Sequence, residues 1–363
     1  MQFRGVLIRL TELLELWSAK AIHKCHFMED KGKTSSDNSK EEQGKTLQKK
    51  AKKKYLSKGI AYHLYYETDS PLRKSYQNSM YCADVLAPNK TQTKLTTKYC
   101  KNRWCPLCSS IRIAMLINGY GPQLKELNEP YFVTLTAPTV PAELLPERIK
   151  QFGRAFRQII DNHRARKMGM KGIRKAECTV RPKGLYHYHY HVIIDGKANA
   201  EHLVKRWLEI VPGALPQSQD LRPANEGSFI ELFKYFTKLV AKDKRTGMRE
   251  IVEYKRLDII FQALRGLRTF QPFGGLKAVS EDIDEEELEA NILISADSIF
   301  KWIMNDWVNL ETGECLTGYE PSQSLKRLID EEEVFYTKSA KKARIAEAKE
   351  KKHKGEIKPT LNF

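Results

Sequence analysis

The sequence predicts an α+β fold, and three observations predict it. Strand-like runs rich in β-branched and aromatic residues stand at 131–136, 174–181 and 186–195, the last two joined by a short turn bearing glycine. Amphipathic helical periodicity fills the stretches between and after them. Four cysteines between Cys82 and Cys108 mark a small Cys-rich segment of the kind zinc organises.

Taken in order, residues 31–58 are polar, charged and poor in aromatics, which predicts a largely disordered basic arm over 1–60. The apolar run at 3–17 is broken by Arg4, Arg9, Glu12 and Glu15 and lacks a small-residue cleavage site, so it does not read as a secretory signal. Residues 1–27 read as an upstream extension, because Met28 precedes a more ordinary polar start. The Cys-rich segment covers 76–115. The strand at 131–136 (YFVTLT) is stopped by Pro138 and Pro141. Pro146 then opens a helix with Ile149, Phe152, Phe156, Ile159, Ile160 and His163 in phase, leaving Arg148, Lys150, Arg154 and Arg157 outward. Runs 174–181 and 186–195 form a hairpin across Pro182-Lys183-Gly184, with glycine at the left-handed position. Asn199 is suited to cap a helix carrying Leu203, Val204, Trp207 and Leu208. Helices are expected at 228–242 and 250–267, and Phe273-Gly274-Gly275-Leu276 closes this unit, which spans 125–280. The acidic block 281–289 opens a charged, helical C-terminal region to 345, followed by a charged tail over 346–363.

A formal net charge of +17 points to nucleic acid, since excess Lys and Arg displace counterions from a phosphate backbone whatever its sequence. Part of the excess crowds into Lys45, Lys49, Lys50, Lys52, Lys53, Lys54 and Lys58, but basic residues recur at 148–175. No stretch approaches the ~20 apolar residues of a membrane span. A cytoplasmic location is the expectation, and an odd count of seven cysteines then favours metal or core roles over disulfides.

The most informative run is His187-Tyr188-His189-Tyr190-His191. Strand side chains alternate, so three of the chain's nine histidines share one face and the tyrosines take the other. Neutral imidazoles two residues apart on a rigid strand can converge on one ion. Register decides the third ligand. A three-residue loop sets Glu177 opposite His189; a two-residue loop sets Cys178 there and turns Glu177 away. The glycine favours the first, and His187 is the reserve ligand.

In the expected 228–242 helix, Phe229, Leu232, Phe233, Phe236, Leu239 and Val240 form an apolar stripe. Glu231, Tyr235, Lys238 and Lys242 form a second, narrow one along its edge. A phenolate there can attack phosphorus and conserve the broken bond as a phosphotyrosine. Lys238 is placed to steady the phenolate or the phosphate, and Glu231 to activate a second nucleophile.

Together these residues resemble the HUH endonucleases, and within them the type-1 Rep family of plasmid rolling-circle replication initiators. His189-Tyr190-His191 is similar to the family's paired histidines, and Tyr235-Phe236-Thr237-Lys238 to its tyrosine motif. The cysteine run from Cys100 to Cys108, Phe132-Val133-Thr134-Leu135-Thr136, Glu177-Cys178-Thr179, Glu231 and Phe273-Gly274-Gly275 follow in matching order. The resemblance implies a five-stranded, mainly antiparallel sheet flanked by helices and Mg²⁺ or Mn²⁺ at the histidines. It also implies a tyrosine that nicks one strand of the plasmid's double-strand origin, keeping the 5′ phosphate and leaving a 3′ hydroxyl for polymerase. Glu231 matches a glutamate that directs the terminating cleavage. A host helicase is the partner it suggests. Tyr188 stands where a proline is common in the family, on the face away from the metal.

The entering DNA must be single-stranded; Tyr188 is a candidate for base stacking, and Arg181, Lys242 and Arg103 for DNA contact. Cys82, Cys100, Cys105 and Cys108 are a tetrahedral Zn²⁺ set with a structural or DNA-contacting role. Other readings are a transposase or relaxase of the same superfamily, a non-enzymatic zinc-ribbon DNA-binding protein, and a metallohydrolase using water as nucleophile.

Overall fold

The computed structural model describes residues 35–92, 94–165, 169–235, 238–242, 249–283 and 298–335. Its first element, α1 (Ser35–Glu67), lies in the stretch expected to be mobile. From residue 35 that expectation is corrected, while residues 1–34 lie outside the described residues. The reason is a stripe the charge had masked. Leu47, Ala51, Tyr55, Ile60 and Leu64 are buried, and Lys54 is fully buried on Asp84 (3.1 Å) and the carbonyl of Met80 (3.0 Å).

Helix α2 (Arg73–Met80) leads to strands β1 (Val85–Pro88) and β2 (Leu95–Thr97), and α3 (Pro106–Lys125) starts on the cysteine motif, with Cys105 as its N-cap. Strand β3 (Pro130–Leu135) precedes α4 (Leu145–Ala165). The hairpin follows as β4 (Gly172–Arg181) and β5 (Leu185–Asp195), then α5 (Lys197–Ile210) and β6 (Asp220–Pro223). Helix α6 (Glu226–Leu232), strands β7 (Val240–Lys242) and β8 (Arg249–Ile251), helix α7 (Tyr254–Ala263) and β9 (Phe270–Phe273) complete the unit.

The main sheet has five strands in the order β6-β3-β5-β4-β9, every neighbouring pair antiparallel. The expected α+β class and five-stranded sheet are borne out. One face buries Tyr188 and Tyr190 against Phe152 of α4 and Trp207 of α5. Tyr188, expected to stack bases, is therefore a core residue, 4% exposed. The opposite face carries Phe132, Ile173 and Ile193 in a separate cluster with α3 and Leu232 of α6.

Three helix expectations are corrected. The helix at 197–210 is capped by Gly196, while Asn199 sends its amide to the carbonyls of Asp195 and Gly169. The helix expected at 250–267 covers only Tyr254–Ala263, because Glu250 pairs in β8. The one expected at 228–242 ends at Leu232. The Phe-Gly-Gly motif acquires a steric reason: Gly274 has φ +66°, and a Cβ there would lie 1.7 Å from the Met170 carbonyl.

The C-terminal region, expected to be helical, adds two strands as well as helices. β10 (Phe300–Ile303) and β11 (Asp306–Asn309) join β1 and β2 in a second antiparallel sheet, β11-β10-β1-β2, before α8 (Gln323–Leu328) and α9 (Glu331–Phe335). Trp302, Trp307 and Ile329 share one core with Tyr55, Leu86 and the buried cysteines. The Cys-rich segment thus has a core after all, assembled from both ends of the chain. The acidic block from 284 to 290 and the tail from 346 lie outside the described residues.

Candidate metal centre and the Tyr235 cleft

The turn between β4 and β5 fixes the site. Lys183 and Gly184 both take left-handed backbone (φ 60° and 72°), so three residues separate the paired Arg181 and Leu185. Counting back, Glu177 pairs with His189 and Lys175 with His191. This is the first of the two registers weighed from the sequence.

Glu177, His189 and His191 are 5–7% exposed and bring their donor atoms within 4.8 Å of one another. His191 Nε2 stands 3.6 Å from Glu177 Oε2, and His189 Nε2 3.9 Å from Oε1. Each imidazole is oriented through its other nitrogen. His191 Nδ1 bonds Thr134 Oγ1 (3.2 Å) and His189 Nδ1 the carbonyl of His187 (3.3 Å), which leaves both Nε2 atoms facing the carboxylate. Burial pushes the His189 pKa down to about 3, partly opposed by Glu177, so this ring is neutral at pH 7 and has a lone pair to give. Burial alone would raise the Glu177 pKa, but Lys175, His191 and His189 outweigh it and hold the carboxyl below its ordinary range. Two imidazoles and a carboxylate, convergent and buried, fit a divalent cation. His187 is outside that trio: its ring stacks on His189 with centroids 4.8 Å apart and its Nδ1 faces Arg181 (3.4 Å).

Two lysines unremarked in the sequence complete the centre. Lys175 is fully buried, its ammonium 2.9 Å from Glu177 Oε2 and 3.5 Å from the carbonyl of Glu231. The signal for it was available, since it lies two residues before Glu177 on the same strand face. Lys234 pairs with Glu231, whose Oε1 is 3.8 Å from His191 Nε2. Helix α6 brings Glu231 in, held at its start by a capping box between Asn225 and Ser228.

Tyr235 does not join this group as expected. With α6 ending at Leu232, the edge stripe of Glu231, Tyr235, Lys238 and Lys242 dissolves. Phe233 stacks on Phe270 in one core cluster, while Tyr235 enters another. The Tyr235 hydroxyl donates to the carbonyl of Arg103 (2.9 Å). Burial raises its pKa well above the ordinary phenol value, and the nearest charge effects come from Cys105 and Arg112 at the cysteine cluster. Lys238 is exposed beyond the helix, and Lys242 sits in β7 with its side chain outside the described residues. Arg181 is exposed at the hairpin turn; Arg103 pairs with Glu281 at 3.0 Å.

Cys82, Cys100, Cys105 and Cys108 bring their sulfurs within 4.8 Å of one another, with Cys82–Cys108 at 3.4 Å and Cys100–Cys108 at 3.6 Å. Zn–S bonds of about 2.3 Å in a tetrahedron need edges near 3.8 Å, so four sulfurs at this spacing fit the ion.

Known proteins similar to this chain include two replication proteins. Residues 92–198 match the family model described as Replication protein, a segment that holds Glu177, His189 and His191 and stops before Glu231 and Tyr235. The chain is 24% identical over 262 residues to a protein named Protein rep from Lentilactobacillus hilgardii, covering 62% of this chain and 82% of that one. It is 31% identical over 103 residues to Protein rep of Staphylococcus aureus, covering 26% of this chain and 44% of that relative. No solved structure matches it. The resemblance to the type-1 Rep family is borne out.

Proposed function

We propose that this chain, similar to the Replication protein family over residues 92–198, initiates plasmid rolling-circle replication by nicking one strand of the double-strand origin and joining it to Tyr235. The observation that carries the reading is the buried Glu177–His189–His191 donor set with Glu231 beside it, in a chain of net charge +17.

Glu177, His189 and His191 would hold Mg²⁺ or Mn²⁺, which supplies a Lewis acid to the scissile phosphate. The mixed set favours Mn²⁺, because imidazole is a poor partner for the harder Mg²⁺. Lys175 fixes the Glu177 carboxylate, and Thr134 fixes the His191 ring. The Tyr235 phenol attacks phosphorus, its O–P bond forming as the bond to the 3′ oxygen breaks; the phenol proton goes to solvent or Glu231, and the leaving oxygen ends as a hydroxyl for polymerase. For this the phenol leaves the Arg103 carbonyl. Glu231, already at the centre, then activates the nucleophile of the terminating step. The four cysteines hold structural zinc. Single-stranded origin DNA is the substrate, and a host helicase is the partner this role requires.

A second reading draws on one observation: Glu231, not Tyr235, adjoins the histidines. It makes the chain a metal-dependent hydrolase with water as the nucleophile. Incubation with supercoiled origin plasmid and Mn²⁺ separates them. A phosphotyrosine former gives nicked DNA with protein covalently attached, while a hydrolase gives nicks with free ends. Tyr235→Phe should abolish the adduct and retain DNA binding, at a stability cost of about 1 kcal/mol for the lost hydrogen bond. Adduct persisting in that variant would assign the attack to another tyrosine.

A further inference from the structure

Beside Tyr235 lies a narrow, partly open cleft with room for about one oxygen-sized group, lined by Arg103, Arg112, Lys234 and Tyr235 beside the apolar Ile113 and Leu116. Arg112 on α3 is 8% exposed. Its Nε donates to the Glu281 carbonyl (2.9 Å) and its Nη2 to that of Lys101 (3.0 Å), while Nη1 is buried without a partner among the described residues. Carbonyls take part of the hydrogen bonding but neutralise no charge. Arg103 is matched by Glu281 and Lys234 by Glu231, so among the described residues Arg112 is the cation of the cleft with no carboxylate in an ion pair. A buried guanidinium with one idle N–H suits an anionic oxygen, because its fixed fork matches phosphate geometry. Lys234 connects this cleft to the metal centre, for the residue that lines it also pairs with the glutamate next to His191.

We infer that this cleft is a second DNA contact, in which Arg112 Nη1, with Lys234 at its side, receives an oxygen of a backbone phosphate on the strand bound at the metal centre. The inference rests on the nicking reading for the identity of that strand. It makes Arg112 and Lys234 strand-positioning residues and gives the loop carrying Tyr235 a reason to be charged and enclosed.

The test is anisotropy of a fluorescein-labelled single-stranded oligonucleotide with the full chain, at several salt concentrations. Arg112→Gln and Lys234→Gln should each weaken binding several-fold and reduce the slope of log K against log salt by about 0.7, the value for one phosphate contact on a single strand. Arg112→Gln also loses two bonds to carbonyls, so its unfolding midpoint is measured alongside, and Lys234→Gln, at a partly exposed position, carries the test if Arg112→Gln prevents folding. A scan replacing one phosphate at a time by neutral methylphosphonate removes dependence on stability. One position should weaken the unaltered chain several-fold yet add nothing in the Arg112 variant. Binding by the unaltered chain with no such position, or with slope and affinity unchanged in the variants, overturns the cleft and leaves the nicking reading standing. An unaltered chain that binds no oligonucleotide overturns both.

Discussion

Lys175 shows most directly how single residues govern the site. A fully buried ammonium beside a buried carboxylate is the charge that lets Glu177 stay ionised before any metal arrives. Removing one member of such a pair strands the other. Lys175→Met is expected to destabilise the metal-free chain by roughly 3–5 kcal/mol. Mn²⁺ should recover part of the loss by giving Glu177 a new countercharge, a gain read as a larger metal-induced rise in unfolding midpoint than in the unaltered chain. An equal rise in both would mean that Glu177 is not a ligand. Thr134 acts in the same way at smaller scale, fixing which His191 nitrogen faces the carboxylate.

Among elements, α6 decides what reaches the metal centre. Its seven residues present Glu231 to His191 and then stop, and the turn that follows sends Phe233 and Tyr235 into separate cores. The capping box at Asn225 satisfies the N-terminal amides that so short a helix exposes. Asn225→Ala should cost about 1 kcal/mol by thermal unfolding. It should also lower nicking more than oligonucleotide binding, because Glu231 rides on this helix. The hairpin is the contrasting case, since its three-residue turn was readable from Gly184 and sets ten successive pairs, among them Glu177 with His189. A helix end depends on competition between distant cores, which no local pattern records. A tight turn depends on backbone freedom at one or two residues.

At the level of the whole molecule, two sheets divide the labour. The five-stranded sheet carries the histidine centre, and the smaller one encloses the cysteines between α1 and strands β10 and β11. Truncation after residue 283 would remove Phe300, Trp302, Trp307, Leu325 and Ile329 from that second core. Zinc retention should then fall, measured as metal per chain after dialysis against a weak chelator. Full retention would mean that the cysteines need no support from the C-terminal region. No helix among the described residues is long and apolar enough to cross a membrane.

The sequence by itself determined the local features: the strands, the face shared by His189 and His191, a preference for Glu177 as their partner, and the four-cysteine set with Cys82 in it. Each follows from periodicity two, from a glycine turn, or from a side chain with few other uses. Tertiary structure decided the burial of Lys54 in a basic arm, the joining of β10 to β1, and the seat of Tyr235 at the Arg103 carbonyl rather than at the histidines. It also decided that Arg112 would be left with an idle N–H. These depend on contacts between separate elements or on how two cores share one loop, and chain-local chemistry carries no record of either.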